Sequence, residues 1–131
     1  MKDNLALIAV THRAGQIAAA LFDDAIGREI TARQAQVLQA IAKNNGANQT
    51  ELVLATGVDR STLSDVCRRL GRKGLIGRRR SQQDTRAWVV KVTQEGETVL
   101  KRAQAAAAKA ASQARDQIAG IDQLRIIQAS A

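Results

Sequence analysis

The sequence has no proline and no tyrosine, and only one each of cysteine, histidine, phenylalanine and tryptophan. With Cys67 as the sole thiol, no disulfide closes within the chain, and Cys67 with His12 is too few ligands for a Cys/His metal cluster. No cofactor is expected. A phosphate-cradling glycine loop and paired carboxylates are also missing, which argues against an enzyme. No stretch of 18 residues is uniformly apolar, and no basic-then-apolar-then-small leader opens the chain. The reading is a cytoplasmic protein without a membrane partner. At 131 residues there is enough chain for one domain, and with so few aromatics its core is expected to be helical and built of small side chains.

Positive charge is present in excess, and it is concentrated. Between Arg60 and Lys91 there are ten basic residues and two acidic ones, a net of +8, which equals the net charge of the whole chain. The remainder is neutral. A field confined to one stretch is directed at a polyanion, and the commonest polyanion is nucleic acid.

That stretch holds two patterns end to end. Leu63, Val66, Cys67 and Leu70 recur at helical spacing, leaving Arg60, Ser61, Ser64, Asp65, Arg68 and Arg72 on the opposite face. Asp59 is placed as the N-cap and Gly74 as a left-handed residue past the C-terminus. Further on, Trp88, Val90 and Val92 alternate with Val89, Lys91 and Thr93, and Ile76 to Arg79 precede a polar tip from Arg80 to Arg86. This is a helix followed by a basic hairpin.

Upstream, Leu7, Val10, Ala14, Ile17 and Leu21 form one row of a long helix from Leu5 to Ile26, and Ile8, Ala18, Phe22 and Ala25 a second. The periodicity fits a helix shared with a partner subunit as well as it fits the core helix of a monomer. His12 falls between the rows, where a partly buried, hydrogen-bonded imidazole is expected. Thr31 with Gln34 and Asn48 with Glu51 are capping-box spacings; the first opens a helix through Val37, Leu38 and Ile41 towards Gly46, the second a short helix ending at Gly57. Two short helices joined at a glycine, the second basic, make a helix-turn-helix arrangement. After the hairpin Thr93 caps a last helix with Glu95 and Glu97 in its first turn. Its stripe is mostly methyl groups: Val99, Ala103, Ala106, Ala107, Ala110, Ala114, Ile118 and Ile121. A break is expected near Gly120, followed by an apolar segment with Leu124, Ile126 and Ile127.

Taken together, the sequence resembles the MarR family of bacterial winged helix-turn-helix transcription regulators over nearly its whole length. The likeness lies in Thr31-Ala32-Arg33-Gln34, in the run from Gly57 to Ile76, and in Asp84-Thr85-Arg86-Ala87 followed by Val90, Val92-Thr93 and Gly96. It departs from the family in having Gln82-Gln83 and no proline before Asp84, in placing Gly71 within a helix at about 1 kcal/mol, and in its alanine-rich final helix. The resemblance implies a mostly α fold with a small β-hairpin wing, a DNA-binding lobe over 30–93, and dimerisation helices at 1–28 and 94–131. It further implies a homodimer bound to a pseudo-palindromic operator in double-stranded DNA, acting as a repressor and released by a small molecule or an oxidant. Within that frame Leu7, Val10, Ile17, Leu21, Ile118 and Ile121 are the expected dimer contacts.

The same frame assigns roles. Arg69, Arg72, Lys73, Arg78, Arg79 and Arg80 are expected at phosphates, while Arg60, Ser61, Ser64, Asp65 and Arg68 meet base edges and Thr62 matches an exposed position of the same helix. Arg86 matches the wing arginine at the minor groove and Asp84 the carboxylate that holds it. Asp65, a carboxylate among phosphates, either accepts from a cytosine amino group or orients Arg68 or Arg69, with orientation the favoured role. The alternative reading is a non-specific architectural or single-strand-binding module. Such modules use aromatic platforms or apolar wedges, and alternation puts the one candidate, Trp88, inside. Few aromatics leave little for a large effector pocket, and Cys67, on the apolar row, is expected to be an inert structural thiol.

Overall fold

The computed structural model describes residues 4–84 and 86–121, the side chains of residues 118, 120 and 121 excepted. In chain order the elements are α1 (Asn4–Ile26), α2 (Ala32–Lys43), β1 (Ala47–Asn48), α3 (Gln49–Thr56), α4 (Arg60–Arg72), β2 (Ile76–Arg80), β3 (Trp88–Val92) and α5 (Gln94–Ile121). They group into two compact units. One covers residues 32–103; the other combines α1 with α5 from residue 104 onward.

The first unit is a three-helix core closed by a small sheet. Val37, Leu38 and Ile41 of α2 are fully buried, and they meet Leu52 of α3 and the row Leu63, Val66, Cys67 and Leu70 of α4. The caps expected at Asn48 and Asp59 form. Asn48 and Glu51 form a reciprocal capping box at the start of α3, and Asp59 accepts from the Thr62 amide at the start of α4. Past α4, Gly74 takes φ 75°; its amide donates to the Gly71 carbonyl at 3.0 Å, and the Leu75 amide donates to the Leu70 carbonyl at 3.0 Å. Those paired bonds are a Schellman termination, with Leu70 and Leu75 both buried beneath it.

The sheet is antiparallel in the order β1-β3-β2. Strand β1, two residues long and paired Ala47 with Val90 and Asn48 with Val89, was not expected from the sequence: two residues are too short to show alternation. In the hairpin Ile76 opposes Val92, Arg78 opposes Val90 and Arg80 opposes Trp88. Trp88 therefore lies on the face of the buried Val90, as alternation requires. It is nevertheless 43% exposed where Val90 is 5%, because the hairpin extends beyond the helices that cover its base. The expectation that Trp88 is inside is corrected by that overhang.

In the second unit α1 runs as expected, but only Val10 and Phe22 on it are buried. Ile17 and Leu21 are half-buried, Leu5, Leu7 and Ile8 are exposed, and His12 is exposed rather than partly buried. Val10 thus packs within its own chain. By length and composition α1 can cross a bilayer, with a mean hydropathy of 1.4 over its most apolar window, yet Thr11, His12 and Arg13 set polar atoms within it, which a hydrocarbon core disfavours. Along α5 the buried methyls are Ala103, Ala106, Ala110 and Ala114, and Ala107 faces out. The described helix runs to Ile121, one residue past Gly120, and the residues beyond it lie outside the described ones. The side chains of Ile118 and Ile121, and the segment holding Leu124, Ile126 and Ile127, lie outside the described residues.

Candidate nucleic-acid interface

The polar face of α4 is organised by hydrogen bonds made at its own start. The Asp59 carboxylate accepts from the Thr62 amide at 3.0 Å, the Thr62 hydroxyl at 2.6 Å and the Ser61 hydroxyl at 2.9 Å. These donors, Thr62 first, hold its pKa down at about 2. Ser61 and Thr62 have each committed a single proton, so towards solvent they present acceptor lone pairs.

Next along the helix, Arg60 is drawn sideways to α3. Its guanidinium donates to the Gln49 side-chain oxygen at 3.3 Å and to the Thr50 hydroxyl at 3.1 Å. Gln49 in turn donates to the Ser64 hydroxyl and, at 3.4 Å, to the Arg60 carbonyl. Gln49 and Thr50 are the members of this polar network that sequence reading missed. They lie 11 and 10 residues before Arg60, on another helix, and no local pattern links them to α4.

One helical turn on, Asp65 holds two arginines at once. One carboxylate oxygen accepts from Arg68 and the other from Arg69 Nε at 3.0 Å. Hydrogen bonding from Arg69, then the two positive charges, lowers the pKa of Asp65. Both guanidinium groups stay exposed and Asp65 is partly so, which leaves the positive charges available to solvent. Lys73 points elsewhere, donating to Gln34 of α2 at 3.2 Å.

The wing presents two faces of different character. Arg78 and Arg80 share a face with Trp88 and Val90, and their guanidinium carbons sit 5.2 and 4.9 Å from the Trp88 ring centroid. Both are within cation–π range. This face turns to α4: Trp88 and Arg78 line a groove with Arg68, Gly71 and Arg72, and a cleft with Ser64 and Cys67. Arg79, opposite Val89, projects from the other face. Burial pushes the Cys67 thiol up, outweighing the nearby charge of Arg78.

At the tip, Ser81 accepts from the amides of Gln83 and Asp84 at 3.1 and 3.3 Å, and Ala87 donates back to the Asp84 carbonyl at 3.0 Å. The Asp84 carboxylate accepts from the Arg86 amide at 3.0 Å, whereas the Arg86 guanidinium is 3.7 Å away. Its grip is on the Arg86 backbone. The Arg86 side chain is 94% exposed and extends from the turn. Thr85, between them, lies outside the described residues. Among the described residues no three of His, Cys, Asp and Glu gather as a metal site.

Residues 29–87 match a family model described as MarR family. HosA, a transcriptional regulator of Escherichia coli, is 35% identical over 75 residues, which are 57% of this chain and 56% of HosA. This chain spans about half the length of the curated relatives it matches. Among solved structures, the PcaV transcriptional regulator of Streptomyces coelicolor in complex with its natural ligand superposes with a TM-score of 0.76 at 29% identity, over 90% of this chain and 88% of that one. A mutant MarR of E. coli complexed with operator DNA shares the fold with a TM-score of 0.77 at 24% identity, covering 90% of this chain and 89% of that one. The family match falls on the helix-turn-helix, β2 and the hairpin tip whose geometry is given above, and over those residues this chain is similar to MarR-family regulators.

Proposed function

We propose that this chain is a transcription regulator that binds double-stranded DNA through α4 and the β2–β3 wing. The observation that carries this reading is the convergence of Arg68, Arg72, Arg78 and Trp88 around one groove, with Arg80 on the same wing face. In the resulting division of labour, Arg69, Arg72, Arg78 and Arg80 contact phosphates and set affinity. Ser61, Thr62, Ser64 and Arg68 lie in the major groove, with Asp65 orienting Arg68 and Arg69. Arg86, extended from the tip, enters a minor groove. Arg79, on the far face of the wing, adds to the field without sharing that surface.

The regulator acts in the cytoplasm as a homodimer on a pseudo-palindromic operator, because two copies related by a two-fold axis present their α4 helices to half-sites about 34 Å apart. Leu5, Leu7 and Ile8, apolar and exposed on α1, supply a surface for pairing; Ile17 and Leu21 extend it, while Val10 serves its own chain. Repression, released by a small molecule, is the regulatory part of the proposal, and the ligand-bound PcaV supports it at the level of family likeness.

The exposure of Trp88 gives the single-strand reading a stacking side chain that sequence alone denied it. Competition separates the two. Duplex carrying an inverted repeat from the region upstream of the gene should displace a labelled copy of itself at concentrations well below those needed for random duplex or single strand. Equal displacement by single strand would refute duplex recognition.

A further inference from the structure

We infer that Trp88 is a positioning residue for nucleic-acid binding, holding Arg78 and Arg80 side by side as a phosphate clamp on the strands just below the wing tip. The inference rests on the reading of the wing as a DNA contact and adds to it a residue that neither charge nor recognition motif singles out. Three observations converge on it. The strand register sets Trp88 directly opposite Arg80 and diagonal to Arg78, so all three side chains leave one face of the hairpin. Both guanidinium groups lie against the ring, at 5.2 and 4.9 Å from its centroid. The ring is 43% exposed although it continues the face of a buried valine. A large aromatic left half in water is poorly explained by core packing alone, and well explained by the two cations it carries.

The physical consequence is preorganisation. A free arginine on a strand samples many rotamers, and ordering it at a phosphate costs entropy at the moment of binding. Stacking on indole limits that sampling beforehand while leaving the guanidinium N–H groups pointing outward in the ring plane, ready for phosphate oxygens. The ring itself carries no charge, so it contributes to affinity without contributing to the count of released counterions. Positioning and contact therefore leave different signatures. Removing a contact arginine lowers affinity and flattens the salt dependence; removing the ring lowers affinity at unchanged salt dependence.

The test uses the full chain and a random-sequence duplex at low salt, so no operator need be known. Trp88→Leu should weaken binding by about five- to twenty-fold, the product of two exposed cation–π contacts, with the slope of log K against log salt unchanged. Trp88→Phe, which keeps an aromatic face and most of the packing, should recover most of the loss. Arg78→Ala should reduce the slope by about one. In an Arg78→Ala/Arg80→Ala background, Trp88→Leu should have no further effect. An equal loss in that background would mean that the ring acts on its own, by stacking on a base or by maintaining the fold, and would overturn the inference. Full binding by Trp88→Leu, or a changed salt slope, would also overturn it. If Trp88→Leu fails to fold, Trp88→Met, which fills the volume without an aromatic face, carries the test: a loss in the wild-type background, absent in the double-arginine background, supports the clamp, and equal effects in both refute it. Failure of the wild type itself to bind duplex would sink the functional reading beneath, and is separately visible as such.

Discussion

The Thr93 hydroxyl donates to the Gly74 carbonyl at 2.7 Å and accepts from the Gly96 amide at 3.0 Å. Its amide also donates to the Leu75 carbonyl at 3.0 Å, so one residue joins the turn after α4 to the first turn of α5. Gly96 completes the junction. A Cβ on it would stand 2.0 Å from the Leu75 carbonyl oxygen, a backbone atom that cannot swing away. The Val-Thr-x-x-Gly motif is thus a clip between the end of α4 and the start of α5. Thr93→Val keeps the shape and removes the hydroxyl, and should cost about 1–3 kcal/mol in urea unfolding by leaving part-buried partners unsatisfied. Thr93→Ser should retain most of the stability. Gly96→Ala should cost at least as much as Thr93→Val, by overpacking.

Gly71 is the opposite case. It lies in the last turn of α4, and a Cβ there would meet nothing within 4 Å. Gly71→Ala should stabilise the protein by up to about 1 kcal/mol, through helix propensity and a less flexible unfolded chain. Thermal unfolding would register this as a rise of several degrees; a fall would show that the groove beside Arg72 and Trp88 needs the bare backbone.

The contrast between those two glycines indicates what the sequence made legible. Helix α4 could be bounded from residues alone, because Asp59 and Gly74 signal through local hydrogen bonds and a local dihedral. The long α1 and the hairpin were visible for the same reason, as periodicities. What stayed hidden depends on distant backbone: the two-residue β1, the Gln49 link to Arg60 and Ser64, and the contact that forbids a side chain at residue 96. Trp88 was misplaced because alternation reports which face a residue takes, and not where the covering layer stops. The motif pairs Asp84 with Arg86, and the structure shows the shorter bond going to the Arg86 amide and not to its guanidinium. The polar residues on α4 are legible as a face, whereas their commitments to Asp59, Asp65 and α3 are not.

Acid should act on α4 first at its N-cap. Asp59 has a folded pKa of about 2 against the ordinary 3.8, so it stabilises the fold above its unfolded value and the contribution fades as pH falls through the folded one. Stability should therefore decline between about pH 4 and pH 2, with Asp65, also lowered, contributing in the same direction. Asp59→Asn keeps an acceptor for the Thr62 amide but does not titrate. Its acid unfolding curve, followed by helical circular dichroism, should be shallower in that window; a curve parallel to the wild type's would mean the cap carries no charge-dependent stability.

Cys67 is buried and its thiol is pushed up by that burial, so little thiolate is available for oxidation. Peroxide should leave duplex binding unchanged in both the wild type and Cys67→Ser. Cys67→Ser should still lose stability, since it sets a hydroxyl into the apolar row of α4. Loss of binding in the wild type alone on peroxide treatment, reversed by a thiol reductant, would make Cys67 a sensor.

Asp84 and Arg86 form the last test, and the tip geometry decides its form. Arg86→Ala removes the exposed guanidinium and should weaken operator and random duplex together, with a salt slope shallower by about one. The Asp84 carboxylate, however, accepts from the Arg86 amide at 3.0 Å, and that bond survives when the side chain at 86 is truncated. Asp84→Ala should consequently weaken binding further in an Arg86→Ala background, by loosening the turn that carries the rest of the tip. Asp84→Asn should be milder, because an amide oxygen can still accept from the backbone. If Asp84→Ala had no effect once Arg86 was gone, the carboxylate would act only through the guanidinium, and the 3.7 Å separation between them would have to close on DNA. Unchanged specificity in Arg68→Ala, measured beside these variants as the ratio of operator to random binding, would place base reading on some residue other than the arginine that Asp65 holds.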